Sequence, residues 1–460
     1  MSAMAPDTLP DLVATLRSVH ATGRTRELAW RTRQLEGIER LVLERETEIA
    51  AAVAADLGRD AAGTYLGEIA LSRDEARHAR KHVRSWMRRR RQSVPLVLQP
   101  GSAWIQYEPL GVVMVIAPWN YPIQLALAPL VAAVAAGNCV VVKPSELAPT
   151  CSALLARLIP EYLDPEAVTV VEGDGAVTQE LLAQGFDHVL FTGGTEIGRA
   201  IMAGAAATLT PVTLELGGKS PAVVAADADL EIAARRIVWT KILNSGQTCI
   251  APDYVLAHRS IRDELVDRIR QKLVAFRADD PRPGMRIVNE RQFDRLVGCL
   301  EATKGKVVTG GAHDRDTLTI EPTIIVDPDP DEPSMTHELF GPILPVLAYD
   351  SDDEAVAFVN ARPKPLALYV FTESRATGTR MVDAIPSGGA VINHAIVHLL
   401  APDLPFGGVG PSGMGGYHGE WGFQTFSHRR SVLAKRAPPD FTVVYPPYTD
   451  RGLKLLRKIF

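Results

Sequence analysis

The reactive chemistry of this chain is concentrated in Asn244-Ser245-Gly246-Gln247-Thr248-Cys249-Ile250-Ala251-Pro252. A cysteine stands there in a Gly- and Pro-punctuated loop, after a helix-like run over 230–243 and before the strand-like Tyr254-Val255-Leu256-Ala257. Loops held between regular elements are where reactive side chains are usually placed. A carboxylate suited to serve this thiol is Glu215, which leaves a strand-like run beside Gly217 and Gly218. A thiol nucleophile and a carboxylate base are the minimum set for thioester chemistry. The competing reading is an inert cysteine acting as a small hydrophobe. The polar loop argues against it, but residue chemistry alone leaves both readings open.

Composition narrows the class. At 460 residues the chain exceeds one ordinary core, so two or three domains are expected. Hydrophobic residues at 46% and charged residues at 22% fit a globular protein in water. A formal net charge of -5 argues against a general nucleic-acid or acidic-membrane binder. The cysteines (Cys139, Cys151, Cys249, Cys299) form neither a disulfide framework nor a C-x-x-C pair, which suits a reducing, cytoplasmic setting. Residues 1–10 lack the pattern of a signal peptide. The most apolar stretch, 123–136, is interrupted by Pro129 and too short to span a bilayer, so no membrane anchor is expected.

The elements that must position the thiol follow from periodicity. Residues 9–87 read as helices, including one run over 33–57 ending at Gly58 and another over 64–87. The cluster Arg88-Arg89-Arg90-Arg91 reads as the solvated C-terminus of that second helix. Residues 94–107 read as an extended, Pro-flanked arm. From Gly111, five short apolar strands (112–117, 139–142, 168–171, 188–191, 212–216) alternate with four helices. Strands apolar throughout are buried on both faces, so this is a parallel sheet covered by helices, a doubly wound dinucleotide-type domain. Such sheets bind ligands at the carboxyl ends of their strands, and Asn120, Lys143, Gly193 and Glu215 all fall there. Gly193 to Gly198 would offer backbone N–H groups to a pyrophosphate at a helix start. The one G-x-G-x-x-G, at 408–413, neither follows a clear strand nor opens a helix and is set aside as a Gly-rich loop.

A second α/β unit follows Gly217, with strands over 222–225 and 254–257, helices over 230–243 and 261–276, and a loop over 279–283. His337 and Glu338 are adjacent on an extended stretch and would point to opposite faces, so no metal site is expected. The tail after Thr425 is extended and Pro-rich, closing in a short basic amphipathic segment read as a terminal docking helix.

Taken in order, these motifs resemble the aldehyde dehydrogenase superfamily over nearly the whole chain. They are Pro118-Trp119-Asn120-Tyr121-Pro122, Lys143-Pro144-Ser145-Glu146, Phe191-Thr192-Gly193-Gly194-Thr195-Glu196-Ile197-Gly198, Leu214-Glu215-Leu216-Gly217-Gly218-Lys219, Gly246-Gln247-Thr248-Cys249, Glu338-Leu339-Phe340-Gly341-Pro342 and Pro405-Phe406-Gly407-Gly408. Cys249-Ile250-Ala251-Pro252-Asp253-Tyr254, Ser412-Gly413-Met414-Gly415, Phe426-Ser427-His428-Arg429 and Tyr445-Pro446-Pro447-Tyr448 resemble the class 3 branch of fatty and aromatic aldehyde dehydrogenases. The resemblance implies a doubly wound cofactor domain (1–87 and 109–214), an α/β catalytic domain (215–402), and a small oligomerisation hairpin with the C-terminal tail (88–108 and 403–460). It also implies a homodimer without a membrane anchor.

The same resemblance assigns roles. Cys249 is expected as nucleophile, Asn120 with the Cys249 backbone N–H as the oxyanion site, and Glu215 as the base for water, with Glu338 a secondary candidate. Trp119, Lys143, Glu146, Gly193, Gly194, Gly198, Glu338 and Phe340 are expected around NAD, with NADP possible and no metal. Tyr121, Trp239, Leu243, Ile396 and Phe406 are expected to line the aldehyde pocket; with no arginine among them, a hydrophobic or aromatic aldehyde fits better than a charged semialdehyde. Two other readings remain: acyl transfer to coenzyme A, and a non-catalytic NAD-binding relative. Intact Cys249, Glu215, Asn120 and Lys143 argue against the latter.

Overall fold

The structure, a computed structural model, describes residues 8–278 and 285–459; the loop expected over 279–283 and most of the N-terminal segment lie outside them. In chain order the strands are β1 (Arg90–Gln92), β2 (Gly101–Pro109), β3 (Val112–Ile116), β4 (Cys139–Lys143), β5 (Val168–Val170), β6 (His188–Thr192), β7 (Val212–Glu215), β8 (Pro221–Val224) and β9 (Tyr254–His258). They continue as β10 (Lys306–Thr309), β11 (His313–Asp314), β12 (Thr319–Ile320), β13 (Thr323–Val326), β14 (Ile343–Tyr349), β15 (Ala367–Phe371), β16 (Gly389–Ile392), β17 (Gly413–Met414) and β18 (Ser427–Lys435).

The five strands expected from their apolar runs, β3 to β7, form one parallel sheet in the order β7-β6-β3-β4-β5. Its β7 edge is closed by β17, antiparallel, with Gly413 opposite Glu215. The Gly-rich loop at 408–413 is therefore a sheet-edge device beside a candidate catalytic carboxylate, and opens no helix. The central helix Gln124–Ala136 is buried on every side, which is why its sequence is apolar all round. Each of Leu127, Leu130 and Val131, fully buried in it, contributes ~1.5–3 kcal/mol of transfer free energy. Gly137 ends the helix at φ 90, a left-handed position that favours glycine.

A second sheet runs β10-β13-β14-β9-β8-β15-β16, parallel except for β10. A third is antiparallel, β1-β2-β18, and joins residues more than three hundred positions apart, such as Tyr107 and Arg429.

The structure corrects two expectations and refines a third. The run over 33–57 is two helices, Leu28–Glu44 and Glu46–Leu57, broken at Arg45, whose guanidinium reaches the Tyr162 hydroxyl (2.9 Å). The run over 64–87 opens with a π-turn, Tyr65–Ile69, before the helix Ala70–Trp86. The arginine cluster is exposed and follows the helix end, with the Arg88 N–H on the Ser85 carbonyl (3.2 Å). But it runs on into β1, and Arg89 and Arg90 stack over Trp104 and Tyr107 of β2, each 5.1 Å from the ring centre. The C-terminal helix Asp450–Ile459 exists, but none of its described residues is buried against its own chain.

Candidate active site

The Cys249 loop is shaped by backbone that most residues avoid. The preceding helix, Leu230–Ile242, is N-capped by Asp229, whose carboxylate accepts from the Ile232 N–H (3.0 Å), a contact worth ~1 kcal/mol. Asn244, Ser245 and Gly246 then take left-handed conformations in succession (φ 52, 54 and 73). A Cβ on Gly246 would overlap the Gly341 carbonyl, so glycine lets this loop press onto the turn carrying Glu338. Gln247, fully buried, locks the result: its Nε2 donates to the Asn244 and Arg286 carbonyls (3.1 Å each), and its Oε1 accepts from the Val288 N–H (3.0 Å). Tyr369 donates its hydroxyl proton to the Ile250 carbonyl just past the cysteine.

Asn120 and Glu215 converge on this loop from the first sheet. The Asn120 side-chain amide donates one N–H to the Gln247 carbonyl (3.0 Å), while the Asn120 backbone carbonyl accepts from Asn244 Nδ2 (2.9 Å). The Tyr121 hydroxyl pairs with Thr248 Oγ1 (2.8 Å), one residue before the thiol. Glu215, the last residue of β7, is buried, and neither carboxylate oxygen hydrogen-bonds a protein group among the described residues. Burial pushes its carboxyl well above the usual carboxylate range, a perturbation typical of functional carboxyls.

Cys249 is a free thiol, partly accessible to the cavity. Burial first, then the Glu338 and Glu215 carboxylates, push it up to about 12, opposed by the backbone N–H groups of Cys249 and Ile250. Glu338 is itself pushed up to about 8 by burial and by Asp253. Its carboxylate lies on the backbone of Gly217, where any Cβ would overlap it. Asp253 accepts from the Leu339 N–H (3.1 Å) and pairs with Lys219 (2.5 Å), which also donates to the His337 carbonyl (3.1 Å). These bonds hold the Glu338 turn. Lys241, 3.9 Å from Asp253, is buried and lowered to about 8 by desolvation.

A cavity of about 480 Å³ opens onto Cys249, Glu215 and Thr248, and Tyr121, Trp239, Leu243, Ile396 and Phe406 all line it. The residues expected in the aldehyde pocket are thus brought together on one wall set. Two arginines line the cavity beyond those five residues: Arg277, which pairs with Glu321 (3.6 Å), and Arg59. Arg59 is committed to Glu68 (2.6 Å) and is not free for a substrate carboxylate. Phe406 lies between two stacked imidazoles, His398 (5.8 Å) and His418 (5.3 Å), each lowered to about 4 by burial and hence neutral at pH 7.

The residues expected around a dinucleotide occupy the carboxyl ends of β4 and β6 and the Glu338 turn. Lys143 Nζ is buried at the end of β4, 3.6 Å from Glu146 and donating to the Pro144 carbonyl (2.8 Å). Gly194 is the N-cap of the helix Thr195–Ala206, with nothing within 4 Å of where its Cβ would stand. That open helix start fits a pyrophosphate, and the Lys143 ammonium with the Glu146 carboxylate, at the end of β4 two strands away, fits a ribose. Gly198 does something else: inside the helix, it lets Leu216 and Phe191 pack closely. Trp119 and Phe340 meet edge to face (5.5 Å), joining the first-sheet loop to the Glu338 turn. Among the described residues no group of His, Cys, Asp and Glu is placed to hold a metal.

Sequence reading missed Arg59, Glu68, Gln247, Asp253, Lys241 and His418. The Asn-Ser-Gly run signals a left-handed turn, and the φ of 83 at His418 has no comparable signal. The others depend on tertiary contacts without a local pattern.

Comparison with known proteins identifies the family. The Aldehyde dehydrogenase family profile matches residues 8–432. The rat (Rattus norvegicus) aldehyde dehydrogenase named dimeric and NADP-preferring is 45% identical over 430 residues, covering 93% of this chain and 94% of the relative. The Arabidopsis thaliana aldehyde dehydrogenase family 3 member H1 is 44% identical, covering 98% and 94%. Among solved structures, the substrate-bound AldH of Staphylococcus aureus superposes with a TM-score of 0.94 at 38% identity, covering 99% of this chain and 100% of that one. The NAD-dependent aldehyde dehydrogenase of Sinorhizobium meliloti gives 0.87 at 30%, covering 97% and 89%. The chain belongs to the aldehyde dehydrogenase family, alongside its family 3 members.

Proposed function

We propose that the protein oxidises hydrophobic or aromatic aldehydes to carboxylates with NAD(P), through a covalent intermediate on Cys249. The observation that carries this is the single apolar, aromatic-lined cavity in which Cys249 and Glu215 both stand. The Cys249 sulfur attacks the aldehyde carbon, and the resulting oxyanion is met by the free N–H of the Asn120 amide and the Cys249 backbone N–H. The dinucleotide, when bound, supplies the hydride acceptor. Lys143 and Glu146 are assigned to its adenosine ribose, the helix start at Gly194 to its pyrophosphate, and Glu338, Phe340 and Trp119 to its nicotinamide end. Gly193, expected to offer its N–H there, instead donates it to the Glu215 carbonyl (3.0 Å). Collapse of the oxyanion leaves a thioester on Cys249. Glu215 then takes a proton from water, hydroxide adds to the thioester carbon, and the thiolate leaves.

Support for use of both dinucleotides is the pairing of a relative named NADP-preferring with a neighbour titled NAD-dependent. The relative named dimeric, together with the outward edge of β18, supports a homodimer assembled through 88–108 and 403–460. The separate cores under the two parallel sheets support a cofactor domain over 1–87 and 109–214 and a catalytic domain over 215–402. We assign the protein to the cytoplasm; no helix among the described residues is long and apolar enough to cross a membrane.

The test is nicotinamide reduction across aldehydes from short aliphatic to aromatic, with NAD or NADP, with and without coenzyme A, beside Cys249→Ala. Reduction that needs no coenzyme A, prefers apolar aldehydes and vanishes in Cys249→Ala is expected. Reduction surviving in that variant would end the covalent mechanism, and strict dependence on coenzyme A would replace hydrolysis with acyl transfer.

A further inference from the structure

We propose that the buried Arg59–Glu68 ion pair is the positioning device of the oxyanion site, acting on Asn120 and Tyr121 together. The inference rests on the Asn120 assignment above. Arg59 follows the end of the helix Glu46–Leu57, and Glu68 lies in the π-turn Tyr65–Ile69, a departure from α geometry common at functional sites. Their side chains are 3% and 0% exposed and meet at 2.6 Å.

Each partner has a second task directed at the loop 118–122. Arg59 Nη2 donates to the Asn120 carbonyl (2.5 Å), and its guanidinium carbon stands 4.4 Å from the centre of the Tyr121 ring. The remaining Glu68 oxygen, Oε2, accepts from the Ile123 (3.2 Å) and Gln124 (2.8 Å) N–H groups. Those donors open the helix Gln124–Ala136, which receives no side-chain cap from its own N-cap residue. The pair therefore grips the oxyanion loop at its carbonyl, at a ring and at its exit helix.

From there the route to the thiol is short. Asn120 reaches the Gln247 carbonyl with its amide, and Tyr121 reaches Thr248 with its hydroxyl. Asn120 can stabilise an oxyanion only if its second N–H is aimed where charge will develop. Fixing its carbonyl from one side by Arg59 and from the other by Asn244 removes the loop's freedom to turn the amide away. A buried ion pair is a poor stabiliser compared with apolar packing, because desolvation offsets the attraction. One placed here instead imposes a single geometry on the groups around it.

The test compares Arg59→Met/Glu68→Gln with Asn120→Ala and the combined triple variant. Methionine fills the arginine stem's volume, and glutamine keeps an acceptor for Ile123 and Gln124 without leaving a buried charge. Arg59→Lys retains the charge without the second donor arm. The readouts are the pre-steady-state rate of nicotinamide reduction with benzaldehyde, and dinucleotide affinity by fluorescence titration. Misplacing a reacting group by about 1 Å costs ~100-fold, so the Met/Gln variant should reduce nicotinamide ~30- to 100-fold more slowly while binding dinucleotide within about twofold of the parent. On top of Asn120→Ala it should add less than about threefold, because residues acting as a unit are not additive. Arg59→Lys should fall between.

Three results would overturn the proposal. A Met/Gln variant at parental rate while Asn120→Ala is impaired would show that the pair does not position Asn120. Losses that multiply in the triple variant, or fall equally on dinucleotide binding, would reduce the pair to general scaffolding. An Asn120→Ala enzyme at full rate would sink the oxyanion assignment itself, and this proposal with it.

Discussion

The two parallel sheets deliver site residues from opposite ends. In the first, Lys143 and Glu215 are the last residues of β4 and β7, and Asn120 and Gly193 follow β3 and β6. In the second, Gly218, Cys249 and Glu338 precede β8, β9 and β14, and so stand at the amino ends. Carboxyl ends of such strands lead into helix N-termini, whose N–H groups suit an anionic dinucleotide. Amino ends lack that donor-rich character. The N–H groups at the thiol there are those of Cys249 and Ile250, in a loop where Asn244, Ser245 and Gly246 turn left-handed. The general rule about carboxyl ends thus locates the cofactor half of the site and misses the nucleophile.

Substitutions on the two sides should separate the half-reactions. The largest effect belongs to the amino-end side: Cys249→Ala should lower aldehyde oxidation by at least about 10⁴-fold, since no other group in the cavity can form the covalent adduct. Residual turnover within a hundredfold of the parent would break the division. Glu215→Gln comes next, from the carboxyl-end side. A stoichiometric burst of reduced nicotinamide should persist, while steady-state turnover falls ~10²- to 10⁴-fold for want of a base. Rapid-quench kinetics read both, and loss of the burst would move Glu215 into the first half-reaction. Lys143→Met should be milder, raising the KM for dinucleotide ~10-fold with little change in the burst rate, as expected for one charge-assisted hydrogen bond.

How much of this was legible in the sequence follows the same division. The strands β3 to β7 could be read because each is a short apolar run bounded by Gly or Pro, and strands buried on both faces leave that signature. The break at Arg45 could not be read: apolar spacing continues through it, and the side-chain bond that Arg45 makes there, to Tyr162, is a tertiary contact with no local pattern. Trp239 and Ile396 were expected in the pocket because the resemblance carried them, and they do line it. Arg59 was invisible in that role. A lone arginine after Gly58 gives no hint that Glu68, Asn120 and Tyr121 will surround it. Gln247 stood inside the motif and was read as a flank, because its function is to satisfy backbone groups of Asn244, Arg286 and Val288 that only the fold assembles.

The smallest expected effect is the most direct probe of the amino-end side. Two carboxylates raise the Cys249 thiol, Glu338 before Glu215, and Glu338 itself stands at about 8. Below about pH 7 Glu338 is mainly neutral and exerts little repulsion on a thiolate, so Glu338→Gln should alkylate with iodoacetamide at the parental rate. Above about pH 8 Glu338 ionises, and a negative neighbour disfavours the thiolate. Removing it lowers the thiol pKa, so at fixed pH the thiolate fraction rises and alkylation of Glu338→Gln should pull ahead ~3- to 10-fold by pH 9.5. The measurement is alkylation rate against pH in the absence of dinucleotide, with Cys249→Ala as the blank. Curves that stay superimposed across pH 6–10 would show that Glu338 does not sense the thiol. Its place would then be wholly on the dinucleotide side, and the amino-end loops of β9 and β14 would act independently in spite of the contact between Gly246 and Gly341.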